Sequence, residues 1–183
     1  MKTRLYAYFL CFGLLLSAAG CTLSPHREAD KPQPEPEPHL AQLQAYGVDH
    51  SSWPEHARKL LSSAVKLSGI RYQYGGRSPE TGFDCSGFVR YVYAQTTNLS
   101  LPHSARAISQ IGDSISKQEL QPGDLVFFNT LKSAFSHVGI YLGNNRFIHA
   151  PSSGGSVRVE DMQQAYWRNR FSGAQRIFIN ASN

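Results

Sequence analysis

Five short apolar segments in the second half of the chain limit its possible folds most strongly. Turn residues bound each segment, and the links between them are mostly of turn length, so neighbouring strands are expected to be antiparallel. The predicted strands are residues 123–128, 137–142, 146–150, 157–159 and 174–179.

The first half of the folded region has helical patterns instead. Apolar residues recur at helical spacing over residues 57–67 and stop before Gly69, while Ser52 and Glu55 resemble a capping box at the start of this helix. A second helix is predicted over residues 86–96, and a short third one ends at Ile111. Helices that precede a run of strands indicate an α+β fold with a mainly antiparallel sheet.

The beginning of the chain has the pattern of an export signal. A basic tetrapeptide precedes an apolar run over residues 5–16, and small residues at 17–20 stand directly before Cys21. This segment is similar to bacterial lipoprotein signals, which implies cleavage before Cys21 and acylation of its thiol. An ordinary signal peptide cleaved nearby, with Cys21 left free, is the alternative.

Residues 22–39 are polar and rich in proline, a composition that favours an extended tether; simple disorder without a spacing role remains open. The predicted organisation is a signal at 1–20, the acylated Cys21 with its tether over 21–50, and one domain over 51–183. The formal charge of +5 includes two basic residues of the signal. No basic run suited to nucleic acid is present, so nucleic acid is not an expected partner.

Cys85 is the candidate nucleophile. It is the only cysteine left once Cys11 leaves with the signal and Cys21 is acylated. A single thiol in an exported protein favours a reactive role over a disulfide framework, although an inert buried cysteine is the alternative. Because Cys85 begins a predicted helix, unpaired N–H groups and the helix dipole are expected to lower its pKa.

Two histidines in the strand region are the candidate partners of this thiol. His137 has the parity opposite to the apolar residues of its strand, and His149 lies twelve residues further on. If the two strands form a hairpin with an odd loop across residues 143–145, both histidines share one face and lie close together. An even loop would place them on opposite faces.

A zinc site formed by Cys85, His103, His137 and His149 is a weaker alternative. The sequence lacks a closely spaced ligand pair such as C-x-x-C or H-x-x-x-H. We therefore expect neither a metal nor an organic cofactor.

The combined pattern resembles the NlpC-type family of papain-like cell-wall peptidases. The matching segments occur in the family's order and cover about residues 55–180. They are YQYGG at 72–76, FDCSGFV at 83–89, LP at 101–102, QPGDLVFF at 121–128, HVGIY at 137–141 and FIHA at 147–150.

This resemblance implies a role for each matching residue. Cys85 would attack the scissile carbonyl, His137 would act as base and then acid, and His149 would orient His137. The Tyr72 hydroxyl would help to form the oxyanion hole, unless the ring only packs on the sheet.

Two further positions are matched by Asp84 and Ser86, which would bind the stem peptide; helix capping and turn formation are their alternative roles. His103 stands where the family often has arginine, which puts a ligand contact there in doubt.

The expected function is hydrolysis of amide bonds in peptidoglycan stem peptides or cross-links, between D-glutamate and a diamino acid or between D-alanine and diaminopimelate. A binding module that does not cut, and an acyl-transfer or amidase enzyme on the same scaffold, are the alternatives. Thr22 after Cys21 resembles lipoproteins sorted to the outer membrane, which implies a lipid anchor on its periplasmic face. A regulatory protein partner is also conceivable.

Overall fold

A computed structural model describes residues 38–97, 99–152 and 155–178; the expected signal, Cys21 and the first part of the tether lie outside these ranges. The described helices are α1 (Pro38–Gln44), α2 (Glu55–Lys66), α3 (Cys85–Thr97), α4 (Ala105–Ile108) and α5 (Ala165–Arg168). The described strands are β1 (Arg77–Ser78), β2 (Gly82–Phe83), β3 (Asp113–Ile115), β4 (Leu125–Phe128), β5 (His137–Gly143), β6 (Arg146–His149), β7 (Arg158–Asp161) and β8 (Phe171–Arg176).

Six strands form one antiparallel sheet with the order β3-β8-β4-β5-β6-β7. The two short strands β1 and β2 pair separately. The α+β class with an antiparallel sheet is confirmed. None of the helices in the described ranges is both long and apolar enough to cross a membrane.

The larger hydrophobic core lies where the helices pack against the sheet. Helices α2 and α3 bury the apolar faces that the helical spacing predicts, and alternate residues of β5, including Val138 and Ile140, face them. The side chains of α2 and α3 in this core are Ala57, Leu60, Leu61, Ala64, Val65, Phe88, Val89, Val92 and Tyr93.

A smaller aromatic core covers part of the opposite sheet face. Its main members are Phe128 on β4, Phe147 on β6 and Trp167 on α5. Helix α5 is only four residues long, and Trp167 is its buried residue. The two histidines of the sheet point to this second face, because they have the opposite parity to Val138 and Ile140.

The later part of the expected tether is folded rather than extended, while the predicted domain boundaries stay a prediction. Residues 38–44 form α1, and Leu43 and Val48 are buried in the larger core. This segment also contacts the β5–β6 turn, where Asn144 Nδ2 donates to Gly47 O at 2.9 Å. The described residues from 38 onward belong to the compact unit, since the apolar residues of this segment have a surface to pack against.

The predicted capping box of α2 is wrong. Pro54 is the N-cap residue of α2 and provides no side-chain cap. Ser52 instead belongs to a short 3-10 helix, and its hydroxyl donates to Asp49 O at 2.7 Å. A proline one residue before the helix already presets the backbone, so the helix begins without the box.

Candidate active site

The N-terminus of α3 holds Cys85 at the first helical position, and Asp84 caps it. Asp84 Oδ1 accepts hydrogen bonds from the Gly87 N–H at 2.6 Å and from the Ser86 hydroxyl at 3.0 Å. Its Oδ2 accepts from the Gly75 N–H at 3.0 Å. One carboxylate therefore joins the helix start to the preceding glycine turn and holds the backbone on both sides of the thiol.

Glycines let the chain pack closely around this helix start. A Cβ added at Gly87 would lie 2.0 Å from Gly76 O, and one at Gly76 would lie 2.4 Å from Gly82 O. No side chain fits at either position, so the glycines at 76 and 87 are required by backbone contacts.

The thiol itself is not a resting thiolate, which corrects the expected effect of the helix N-terminus. Burial, with a smaller contribution from the Asp84 carboxylate, raises the pKa of Cys85 to about 11. Hydrogen bonds from the backbone of Val138, Ser86 and Cys85 itself act in the opposite direction but do not outweigh burial. A neutral thiol needs a base that removes its proton when the substrate is bound.

The β5–β6 hairpin brings the two histidines to one face. Asn144 and Asn145 both have positive φ, as in a type I′ turn, and the register shifts by one residue between Tyr141 and Gly143. This bulge gives the two-residue turn the parity of an odd loop. The indole N–H of Trp53 donates to Leu142 O at the bulge, at 2.9 Å.

His137 and His149 form a directly hydrogen-bonded pair. His137 Nε2 lies 2.6 Å from His149 Nδ1, and the two side chains are almost completely buried. Burial lowers the pKa of His137 to about 4 and, with nearby Arg158, also lowers the pKa of His149. The predicted proximity of the two rings is confirmed, and both rings are neutral at pH 7.

The hydrogen-bond pattern determines the tautomers that general-base chemistry needs. His137 must leave Nδ1 free for the thiol proton, so its Nε2 carries the hydrogen and donates to His149 Nδ1. His149 then carries its own hydrogen on Nε2, and within the described residues this buried atom has no hydrogen-bond partner. The neutral pair thus provides one base nitrogen, at His137 Nδ1.

Trp167 encloses this pair and was not found by sequence reasoning. Its ring stacks on His137 with the centroids 5.7 Å apart, and it lies edge to face with His149 at 4.9 Å. Phe147 contacts His149 from within β6, at 4.9 Å. A lone tryptophan in a four-residue helix has no sequence signal that separates it from ordinary packing.

Gly139 lies two residues after His137 on β5, beside His149 of the neighbouring strand β6, and was also not predicted as a site residue. An added Cβ would lie 2.7 Å from Phe147 Cδ2 and 3.1 Å from His149 Cβ. The absence of a side chain here makes room for the His149 ring.

Tyr72 is half-buried and lies close enough to Cys85 to be affected by its charge. Burial and then the charges of Cys85 and Asp84 raise the pKa of Tyr72, so its hydroxyl keeps its proton and can act as a donor. Its backbone N–H donates to Gly155 O at 2.8 Å. Tyr74, two residues later, is exposed.

Ser86 and His103 line a cavity of about 140 Å³ together with Asp84. The Ser86 hydroxyl lies 3.0 Å from both Asp84 Oδ1 and His103 O. Asp84 and Ser86 therefore cap and connect the backbone, as their alternative roles predict, and they also border a space next to Cys85 in the chain.

The four residues of the zinc alternative do not form a ligand set. Over residues 38–97, 99–152 and 155–178, no group of three or more histidine, cysteine, aspartate or glutamate side chains could hold a metal ion. The His103 side chain is exposed beside the 140 Å³ cavity, whereas the His137–His149 pair is buried under Trp167.

A cysteine at the start of a helix, packed against an antiparallel sheet that holds a histidine pair, defines a papain-like α+β fold. Residues 69–176 match the NlpC/P60 family, and the chain belongs to this family.

Relatives from Escherichia coli K12 are similar over most of the described region. Probable endopeptidase NlpC is 38% identical over 142 residues, which cover 72% of this chain and 91% of the relative. Murein DD-endopeptidase MepH is 36% identical over 132 residues, 70% of this chain. The chain spans 49% of the length of MepH, 62% of murein DD-endopeptidase MepS/murein LD-carboxypeptidase and 29% of gamma-DL-glutamyl hydrolase from Bacillus subtilis strain 168.

Solved structures agree with the fold. The NlpC/p60 domain of the peptidoglycan hydrolase SagA has a TM-score of 0.59 and 35% identity, and the match covers 66% of this chain and 98% of that domain. The peptidoglycan hydrolase RipB from Mycobacterium tuberculosis has a TM-score of 0.58 and 26% identity, with 76% and 79% covered.

Proposed function

We propose that this chain is a cysteine peptidase that hydrolyses amide bonds in the stem peptides or cross-links of peptidoglycan. The observation that carries this proposal is the His137–His149 pair, hydrogen-bonded at 2.6 Å, on the strand whose Val138 backbone lies close enough to Cys85 to lower the pKa of its thiol. The relatives named above include two murein DD-endopeptidases and two peptidoglycan hydrolases, which supports this substrate.

The first half of the reaction begins from a neutral thiol and a neutral imidazole. His137 Nδ1 takes the Cys85 proton as Sγ attacks the scissile carbonyl, and His149 Nδ1 accepts the hydrogen bond from His137 Nε2 throughout. The resulting imidazolium gives its proton to the leaving amine, the C–N bond breaks, and a thioester remains on Cys85.

Water completes the reaction. His137 Nδ1, now neutral again, takes a proton from a water molecule as the water oxygen attacks the thioester. His137 then returns this proton to the Cys85 sulfur as the C–S bond breaks. The stacked Trp167 ring presents a π face to His137 and favours its transient positive charge.

The oxyanion of each tetrahedral intermediate needs donors. The N–H of Cys85, at the first position of α3, has no intrahelical acceptor. The neutral Tyr72 hydroxyl is the second donor in this proposal, and the loss of one such donor typically costs ~10²-fold in rate. Asp84 and Ser86 border the 140 Å³ cavity, where they contact the acyl side of the substrate.

The anchoring of the protein belongs to the same proposal. Acylation of Cys21 after removal of residues 1–20 attaches the enzyme to the periplasmic face of the outer membrane, and the proline-rich segment up to residue 34 is its tether. Cys21→Ser is expected to move the protein from the membrane fraction to the soluble fraction without changing hydrolysis by the folded unit. Membrane retention of this variant would contradict the anchor.

Digestion of purified, cross-linked peptidoglycan by residues 35–183 tests the activity, because this range contains the whole compact unit. Cys85→Ala and His137→Ala are the controls, and mass spectrometry identifies the fragments. New peptide ends that are absent from both controls are expected, and their masses identify the bond. Intact fragments with all proteins would favour a binding module, and newly joined products would favour acyl transfer.

A further inference from the structure

A second cavity lies on the histidine side of the site and has no role in the reaction described so far. Its volume is about 240 Å³, and its lining includes His137, Ser152, Arg158, Glu160, Tyr166 and Trp167. Asp84 and Ser86 line the smaller cavity of about 140 Å³ instead.

The chemistry of the reaction determines which part of the substrate each cavity receives. His137 gives its proton to the leaving amine, so the residue that carries this amine must lie on the His137 side of the scissile bond. The cavity lined by His137 therefore receives the leaving-group residue. The cavity beside Asp84 and Ser86 then receives the acyl residue.

One ion pair determines the polarity of the leaving-group cavity. Arg158 Nε donates to Glu160 Oε1 at 2.7 Å, and the two side chains are 42% and 16% exposed. Both residues lie on β7, where Arg158 is directly opposite His149 and Glu160 is opposite Phe147. The pair therefore stands on the same sheet face as the histidines, one strand further out.

Such a pair presents a cation and an anion side by side. A ligand group with a neighbouring carboxylate and ammonium could bind both at once: the carboxylate to the guanidinium and the ammonium to the Glu160 carboxylate. A leaving-group residue with only an ammonium, or only a carboxylate, would satisfy one partner. Charge-assisted hydrogen bonds of this kind contribute about 1.5–3 kcal/mol each, or roughly ten- to a hundredfold in affinity.

We propose that Arg158 and Glu160 form a specificity site for a leaving-group residue that carries a second, free amino-acid centre, as a diamino dicarboxylic acid does. Diaminopimelate is preferred over lysine because its free carboxylate binds Arg158. It is preferred over a residue without a second amino group because its free ammonium binds Glu160. This inference rests on the proposed function and names the substrate class of the same site.

Four synthetic substrates with the same acyl part test the selection. The leaving-group residue of the first substrate is diaminopimelate, which carries both free groups. Lysine carries only the ammonium, 2-aminopimelate only the carboxylate, and norleucine neither. For the unmodified enzyme, kcat/KM is expected to be at least about tenfold higher with diaminopimelate than with lysine or 2-aminopimelate, and lowest with norleucine. Equal values for all four would overturn the proposal.

Single substitutions assign each preference to its residue. Arg158→Gln is expected to abolish the advantage of the carboxylate, and Glu160→Gln the advantage of the ammonium. Arg158 also lowers the pKa of His149, so its substitution can change the rate with every substrate; the norleucine substrate measures that common change. Asp161→Asn is the matched control, because Asp161 is ion-paired with Arg146 at 2.9 Å on the same strand and does not line the cavity.

Binding distinguishes failure of this inference from failure of the proposed function. Free meso-diaminopimelate is titrated into Cys85→Ala, which cannot turn over, and the backbone amides of Ser152 and Tyr166 are followed by NMR. Saturable shifts that Arg158→Gln and Glu160→Gln each weaken at least about tenfold would support the site even if no substrate is cleaved. No binding, or binding unchanged by both substitutions, would overturn it even if hydrolysis is established.

Discussion

The two halves of the candidate site are held in different ways. The helix end that holds Cys85 is fixed by nearby groups, since Asp84 accepts hydrogen bonds from residues within nine positions of it. The histidine hairpin depends on distant groups, because Trp53 satisfies its bulge from 89 positions away and Trp167 encloses both rings.

Because of this difference, we expect substitutions at the helix end and at the histidine hairpin to affect stability and catalysis differently. The carboxylate of Asp84 has several partners, whereas the buried Nε2 of His149 has none within the described residues. Buried polar groups in folded proteins are mostly hydrogen-bonded, and a buried group without a partner costs free energy. Substitutions at the two ends should therefore affect different measurements.

His149→Phe is expected to have the largest effect and to show this difference most clearly. Without an acceptor at His149 Nδ1, His137 loses its orientation and tautomer, so kcat should fall about a thousandfold. Thermal stability should change little, because the unsatisfied Nε2 is removed while the buried His137 Nε2–H loses its acceptor, and these two effects have opposite signs. Steady-state kinetics and thermal unfolding measure the two effects.

His149→Gln is the matched variant, since its side-chain oxygen can still accept from His137 Nε2. It should recover most of the lost kcat. Near-normal kcat for His149→Phe would show that His149 has no orienting role.

Acid is expected to destabilise the hairpin end. The pKa of His137 is about 4 in the folded protein and ~6.5 in an unfolded chain. The unfolded state therefore takes up the proton first, and the contribution that is present above pH 6.5 is lost as the pH falls to 4. This loss is about 3 kcal/mol, and the low pKa of His149 acts in the same direction.

High pH is expected to destabilise the helix end that holds Cys85, because the pKa of this thiol is raised in the folded protein, whereas that of His137 is lowered. The pKa of Cys85 is about 11, so its contribution is present below the pKa of an unfolded thiol, ~8.5, and is lost as the pH rises through 11. Urea unfolding from pH 4 to pH 11 measures the free energy of unfolding against pH, with its expected fall on the acid side (the acid limb) and on the alkaline side (the alkaline limb). His137→Gln should flatten the acid limb only, and Cys85→Ala the alkaline limb only; an unchanged acid limb in the first variant would contradict the assignment.

Gly139→Ala tests the packing between the two histidines. The new methyl group would lie 2.7 Å from Phe147 Cδ2, so we expect a loss of about 1–3 kcal/mol in the free energy of unfolding. Displacement of the His149 ring should also lower kcat. The second substitution Phe147→Leu removes the ring that is contacted and should recover part of both losses; no recovery would place the strain elsewhere.

Of these substitutions, Asp84→Ala should change kcat least. It should nevertheless lower the stability of the N-terminus of α3. Loss of the cap is expected to cost about 1 kcal/mol of stability. Because the Asp84 charge raises the pKa of Cys85, its removal should lower that pKa. Thiol alkylation rates across pH measure this shift, and Asp84→Asn is the variant that keeps the shape; a pKa that rises in either variant would contradict the electrostatic account.

Much of the fold could be predicted because it follows from short-range patterns. The amphipathic faces of α2 and α3 and the alternation in β5 and β6 are periodic in the sequence. The strand pair β1–β2, strand β3 and helix α5 were missed because they have two to four residues and no periodicity. The folded segment 38–50 was missed because it follows a proline-rich run and has few apolar residues, and Leu43 and Val48 are buried only against distant partners.

The sequence by itself predicted the candidate nucleophile, the two candidate histidines and the α+β class, since each depends on residue types at fixed short spacings. Only the tertiary structure decided the protonation of the thiol and the rings, because burial comes from residues far apart in the chain. It also decided the parity of the hairpin, through one bulge residue whose carbonyl Trp53 satisfies. The enclosing Trp167 and the Arg158–Glu160 pair likewise acquire a role only when β7 and α5 lie beside the histidines.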